Sequence, residues 1–428
     1  VVLAGLVLPA LWRLAPREIG DLGGHVGRLA AINTLAGVLG SVGAGFVLLP
    51  WLGIVRGFAV VALVFCAVGC IGWLCSSRGV SRTVALAGMG VGAGLLLWAD
   101  GWQVTPFTVR SGESLVHYEE GEAGSVAVAR LPSGRLRLRV NDRYTLTSTA
   151  RASRRAQRSM TRLPLALVEE PRSVAFIGVG GAISMSALTE FPSVDRVLGM
   201  ELIPGVLRAA PHFKSANRSI LDDPRVEVLV ADGRNHLHGR SERFDAVVGE
   251  VFSPWHAGTG YLYTAEHFEA VAQRLSDDGV FVQWLQSDQF SPEEARIVAA
   301  TFLDAFPGAE LWMTRRSGPV PLLGLVGWAP GARSRVPEPA WATKMSFPVR
   351  LCDAQQLAAW AASAERNTDD RAIVEYRASW AHQWHRAGPK RARRVLRVVA
   401  AACGFEPNPT GEDREGRSDG EDGEDNGV

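Results

Sequence analysis

The chain of 428 residues carries a net charge of +1 and 47% hydrophobic residues. That is room for two or three domains, without the charge excess a nucleic-acid partner would require. Its cysteines include no Cys-x-x-Cys pair: Cys66, Cys70 and Cys75 sit in an apolar region, Cys352 and Cys403 far from it. This scatter argues against a disulfide framework or a zinc site and fits small buried hydrophobes in a reducing compartment.

Residues 1–102 are rich in Leu, Val, Ala and Gly and nearly free of acids. Val1 stands inside an apolar run, so the expectation is a fragment lacking earlier membrane segments. A signal peptide does not fit, because no basic head precedes the run. Val1–Leu14 reads as the end of one span. Leu29–Leu52 has the length to cross a bilayer and contains no charge. Its Gly37, Gly40, Ser41, Gly43, Ala44 and Gly45 form a small-residue face for helix packing. Phe58–Cys75 is a further span, and Thr83–Trp98 a shorter one interrupted by glycines. The pattern predicts a multi-pass protein of the cell membrane. Arg13, Arg17, Arg28, Arg78 and Arg82 share the side that the positive-inside rule places in the cytoplasm, against Arg56 on the other. If Thr83–Trp98 crosses fully, the large domain lands outside, where a nucleotide-type cofactor is scarce; a cytoplasmic domain is the expectation.

Residues 107–149 switch to period-two alternation. Ser125–Arg130 and Leu136–Val140 flank Pro132-Ser133-Gly134, and Asn141-Asp142 marks a second turn, so a small antiparallel β domain is predicted. The alternating arginines read as its solvated face. Arg151–Met160 has helical composition, and Leu163-Pro164-Leu165 leads towards the next strand.

From Val174 to Pro254, four apolar runs each end in a small or acidic residue, the pattern of parallel strands presenting a ligand edge. Val174–Ile177 drops into Gly178-Val179-Gly180-Gly181 at a strand-to-helix turn. Glycine there admits a ligand close to the backbone, and the helix that follows offers its amides; a tight turn alone is the alternative. Glu201 closes the second run about twenty residues on, where an acid accepts from ribose hydroxyls. Asp232, followed by Gly233, closes the third, suited either to an adenine amino group or to capping a helix. Glu250 closes the fourth, suited to taking a proton from an amine, holding a cation, or forming a loop salt bridge. Val280–Leu285 is a fifth strand, Ser291-Pro292 starts a helix, and Glu310–Met313 and Leu322–Val326 complete the sheet. Residues 386–405 read as a solvated basic helix, and 406–428 as a disordered acidic tail.

The order Phe-Ile-Gly-Val-Gly-Gly, Met-Glu-Leu-Ile-Pro-Gly-Val, Ala-Asp-Gly-Arg, Phe-Asp-Ala-Val-Val-Gly-Glu resembles the spermidine synthase (polyamine aminopropyltransferase) family. Ala31–Gly37, Leu49–Gly53 and Asn367-Thr368-Asp369-Asp370-Arg371 resemble its membrane-fused branch. The resemblance implies an α/β fold: a class I methyltransferase-like Rossmann sheet over residues 151–385, with the small β domain before it. It also implies decarboxylated S-adenosylmethionine as co-substrate, a polyamine acceptor such as putrescine, and no metal. By it, Gly178, Gly180, Gly181 and Gly233 line the cofactor, Glu201 holds the ribose, Asp232 contacts the adenine, and Glu250 is the general base. A homodimer is a further expectation. The soluble synthases carry acids at the positions of Gly181 and Ser253. Their loss here keeps two alternatives open: an S-adenosylmethionine-dependent methyltransferase, or a non-catalytic nucleotide-binding module linked to a transporter-like membrane part.

Overall fold

The computed structural model describes residues 22–74, 110–314, 320–332, 348–384 and 388–404. The runs Val1–Leu14 and Thr83–Trp98 and the acidic tail lie outside them. The described residues fall into two compact units: the N-terminal helices with Tyr118–Ser125, and the remainder.

In the first unit, α1 (Leu22–Gly43) continues through a π-helical turn, Ala44–Leu48, into α2 (Leu49–Leu74). The segment Val26–Val68 spans 43 residues with a mean hydropathy of 2.2, and among the described residues it alone is long and apolar enough to cross a membrane. Ile32, Leu35, Val38 and Leu39 point outward from it. Leu29–Leu52 and Phe58–Cys75, predicted as separate spans, are joined in one helical run broken at Gly53, whose φ of 72° leaves the helical region.

After these helices, β1 (Ser114–Gly121), β2 (Gly124–Arg130), β3 (Leu136–Val140) and β4 (Arg143–Ser148) form a small sheet in sequential order. One expectation fails on β3. Arg139 is not on a solvated face but fully buried, 3.3 Å from Glu113 and bonded to Asp142. Alternation told which residues share a face; it did not tell that acids from outside the strand would cover this one. Val126, Val128 and Leu138 on the other side pack against Ile183, Val206 and Phe213.

Helix α3 (Arg151–Ala166) follows and runs past the predicted end at Met160, with Pro164 inside its last turn. Then comes the main sheet: β5 (Ser173–Ile177), β6 (Arg196–Glu201), helices α4 (Pro204–Ala209) and α5 (Lys214–Asn217), β7 (Val226–Val230), α6 (Gly233–Gly239), β8 (Phe244–Gly249), α7 (Ala265–Gln273), β9 (Leu275–Gln286), α8 (Pro292–Ala305), β10 (Glu310–Met313), β11 (Leu322–Trp328), β12 (Val349–Cys352), α9 (Ala354–Ala361), α10 (Ile373–Trp384) and α11 (Pro389–Ala402). The strand order is β12-β10-β11-β9-β8-β5-β6-β7. β9, β8, β5, β6 and β7 run parallel, while β11, β10 and β12 add an antiparallel flank.

The parallel strands are apolar runs because both their faces are covered. Val174 and Phe176 of β5 pack with Met160 and Leu163 of α3, and Ala175 and Ile177 face the side of Phe268, Ile297 and Phe302 from α7 and α8. Each such side chain contributes about 1.5–3 kcal/mol by leaving water. Helix α8 begins with a capping box, Ser291 and Glu294 satisfying each other's backbone amides, and Pro292 in its first turn. At the far flank Cys352 and Cys403 form a disulfide with Cα atoms 5.1 Å apart, tying β12 to the end of α11. This corrects the reading of unpaired cysteines. The partners are 51 residues apart in sequence, and only the packing of α11 over the sheet brings them together.

Candidate functional site

The chain leaves β5 for β6 on one side of the sheet and returns to β8 on the other. At such a switch point the loops diverge and open a crevice at the carboxyl ends of the strands. Gly178 and Glu250 meet there: the Glu250 amide donates to Ile177 O at 3.1 Å and the Gly178 amide to Met200 O at 2.8 Å. Gly178 has φ +86°, and a Cβ on it would lie 3.2 Å from both Glu250 Cβ and Phe252 Cε1. The conformation favours glycine, and the space beside it is tight.

The loop after β5 does not enter an α-helix, as the sequence predicted. Gly180 and Ala182 both have positive φ, which blocks the helical path, and the next ordered turn is a 3₁₀ segment at Met185–Glu190. The loop amides instead converge on Glu201. Val179 N–H and Gly180 N–H each donate to Glu201 Oε2 at 3.0 Å, and Ile203 N–H donates to Oε1 at 3.1 Å. Glu201 is 8% exposed and shapes the loop. Its Oε1 keeps acceptor capacity, so a ribose hydroxyl fits the donor set.

Gly181 stands differently. Its amide donates to Thr147 Oγ1 at 3.1 Å, and its carbonyl accepts from Asn217 Nδ2 at 3.0 Å. A Cβ at 181 would overlap Thr147 Cγ2, so the methyl of Thr147, on β4, fills the place an acidic side chain would need. Thr147 was not legible as a site residue; nothing local to β4 marks it.

Asp232 caps α6, accepting from the Arg234 and Asn235 amides at 2.9 and 3.2 Å and, through its second oxygen, from Asn235 Nδ2 at 3.0 Å. This is the capping arrangement left open beside the adenine contact. Gly233 lies against β5: a Cβ there would come 2.9 Å from Ile177 Cγ2.

Glu250 is partly buried at the end of β8. Burial pushes its carboxyl up to about 7, the Glu201 charge adds to the rise, and hydrogen bonds from the Ser184 hydroxyl and the Val251 amide work against it. The Ser184 hydroxyl bonds Glu250 Oε1 directly. Beneath it, Gln283 Nε2 donates to Glu250 O at 3.1 Å. Beyond it, Tyr263 donates its hydroxyl to Phe252 O at 2.8 Å, and buried Asn367 fixes Tyr263 in turn, its Nδ2 donating to Gly260 O at 3.2 Å and Tyr263 O at 3.0 Å. Asp369 pairs with Arg234. The Asn367–Arg371 motif therefore clamps the loop that follows Glu250. Ser184 and Gln283 escaped sequence reasoning, since neither lies in a recognisable pattern.

The geometry defines an α/β protein in which the Gly178 loop, Glu201 and Glu250 meet at the carboxyl ends of the parallel strands. Residues 154–314 match the spermine/spermidine synthase domain. A polyamine aminopropyltransferase of Thermoanaerobacter sp. is 28% identical over 145 residues, covering 34% of this chain and 52% of the relative. The polyamine aminopropyltransferase of Mycobacterium tuberculosis is 26% identical over 313 residues, covering 68% of this chain and 58% of the relative. The chain thus spans about half the length of these curated relatives. The crystal structure of spermidine synthase from Thermotoga maritima aligns with a TM-score of 0.44 at 16% identity, over 61% of this chain and 84% of that one.

Proposed function

We propose that this chain is a membrane-anchored aminopropyltransferase of spermidine synthase type, moving the aminopropyl group of decarboxylated S-adenosylmethionine to an amine such as putrescine. The observation that carries the reading is Glu250: a carboxylate beside the glycine loop, held by Ser184, with its carboxyl raised to about 7. A base poised near neutrality suits removal of a proton from an attacking amine. The nitrogen bonds the carbon next to the sulfonium, and the C–S bond breaks. Its electron pair stays on sulfur in the departing methylthioadenosine, and Glu250 takes the proton. The backbone of Gly178, Gly180 and Gly181 lines the donor, Glu201 holds its ribose, and Asp232 with Gly233 borders its adenine.

The apolar segment Val26–Val68 supports the anchor. A multi-pass arrangement, a cytoplasmic catalytic unit and a homodimer complete the proposal. Incubation of the purified protein with decarboxylated S-adenosylmethionine and putrescine should release methylthioadenosine; no release with any di- or polyamine sinks the reading. One observation favours a second reading, an S-adenosylmethionine methyltransferase. With Thr147 filling the place beside Gly181, the loop carries no acid to repel the carboxylate of the intact donor. Calorimetry with the two donors separates them, since preference for the decarboxylated form counts against methyl transfer.

A further inference from the structure

The residues assigned to the crevice leave one charge cluster without a task. Helix α3 carries Arg154, Arg158 and Arg162 at four-residue spacing, so the three share one face. Arg218, just past the end of α5, joins them: it and Arg162 both pair with Glu190, the last residue of the 3₁₀ segment Met185–Glu190. Arg162 grips that carboxylate through two nitrogens at 2.8 Å each. Arg218 adds a contact at 3.2 Å and donates to Thr189 Oγ1 at 2.8 Å.

The other two cations have no such acid. Arg158 spends its bonds on neutral acceptors, Nε donating to Ser186 Oγ at 3.0 Å and one terminal nitrogen to Ala216 O at 2.8 Å. Partners of that kind anchor a guanidinium and leave its charge whole. Arg154 forms no salt bridge among the described residues, and its Nε is buried without an acceptor. Four guanidiniums therefore gather around one carboxylate. Burial and the Arg218, Arg154 and Arg162 charges lower the Arg158 guanidinium to about 10, with Glu190 working against them. Like charges gathered in a partly buried patch cost stability unless an anion neutralises them. A phosphate group meets the need. Its oxygens match guanidinium forks, accept from several directions and neutralise more than one cation, where a carboxylate matches one fork.

We infer that Arg154, Arg158 and Arg218 receive a phosphate group beside Glu190. The inference holds whichever group the crevice transfers. The patch is joined to the glycine loop through α5, since Asn217, next to the carbonyl that holds Arg158, donates to Gly181 O at 3.0 Å. Soluble phosphate compounds and phospholipid headgroups both carry the group, and the experiment separates them.

The test is calorimetry on the full chain in phosphatidylcholine nanodiscs at constant ionic strength, with pyrophosphate as the probe and acetate as the control anion. Pyrophosphate should bind and acetate should not. Arg154→Gln should weaken pyrophosphate about 10- to 100-fold, the loss of one charged hydrogen-bond partner. Arg155→Gln, exposed on the same helix, should stay within about twofold, because a solvated charge is screened. A wild-type protein that binds no pyrophosphate, or binds acetate as well, overturns the site, as does an equal effect of the two substitutions. The titration is then repeated in phosphatidylglycerol nanodiscs. A wild-type advantage over Arg154→Gln that persists there upholds a soluble phosphate compound as the occupant. An advantage present in phosphatidylcholine and absent in phosphatidylglycerol assigns the site to an anionic lipid headgroup.

Discussion

Replacing Glu250 with Gln changes two observables in opposite directions, and the size of one follows from the structure. The Glu250 carboxyl moves from 4.5 to about 7 on folding. At about 1.4 kcal/mol per pH unit, keeping it ionised in the folded state costs about 3 kcal/mol. Between those two values the folded chain holds a proton that the unfolded chain has released, so stability falls as pH rises through the window and stays low above it. Gln is isosteric and neutral and carries no such penalty. Glu250→Gln should therefore be more stable than wild type by about 2–3 kcal/mol at pH 8 and by less than about 1 kcal/mol at pH 5, read from denaturant curves of the detergent-solubilised chain. Aminopropyl transfer should move the other way, falling about 10²- to 10⁴-fold with loss of the general base. The wild-type rate should climb as pH passes through about 7. An advantage over wild type no larger at pH 8 than at pH 5 refutes the burial argument, and retained wild-type transfer refutes the role of Glu250.

Gly181→Asp should cost about 1–3 kcal/mol by overpacking against Thr147 and should not improve putrescine binding; adding Thr147→Ser removes the methyl, keeps the hydroxyl that accepts from residue 181, and should restore stability and tighten putrescine, as calorimetry would read. Asp245 accepts from the Arg172 and Ser173 amides at 2.9 Å and from Ser276 Oγ at 2.7 Å, tying the starts of β5, β8 and β9. Burial works to raise its carboxyl, but these donors hold it below the ordinary 3.8. Its stabilisation is present above that value and lost as pH falls through the folded one, and Asp245→Asn should cost about 2–3 kcal/mol at pH 7 in a denaturant titration. His267 is fully buried, and burial, with the Arg234 and His238 charges, lowers its pKa from 6.5 to about 3. The unfolded chain takes up that proton first, so stability is lost as pH drops below 6.5. His267→Phe should remove about 2 kcal/mol of the difference between pH 7 and pH 5.

The parallel half of the sheet was legible because strands covered on both faces cannot alternate: Val174–Ile177 and Ala246–Val248 are continuous apolar runs, and each is fully buried. The antiparallel flank was legible for the same reason, β11 being buried along its whole length. What the sequence hid has one physical character: it depends on partners far along the chain. Arg139 is buried because Glu113 and Asp142 meet it. Cys352 finds Cys403 across the packing of α11. Thr147 reaches Gly181 from a different sheet. The loop after β5 differs in kind. A glycine-rich turn is readable as a turn, but positive φ at Ala182, a residue with no sequence mark for it, decides that no α-helix follows.

The two halves of the crevice are built from different material, and this explains how their chemistry can diverge. The half around Glu201 is held by backbone: the Val179, Gly180 and Ile203 amides converge on one carboxylate, and glycines permit the approach. Substituting a side chain elsewhere leaves those amides in place. The half around Glu250 is held by side chains, Ser184, Gln283 and Tyr263 from three separate segments, with Ser253 touching Gln289 beyond them. Each of those can change alone and alter the surroundings of Glu250. A side-chain change in the loop after β8 therefore leaves the amide-held half around Glu201 unaltered.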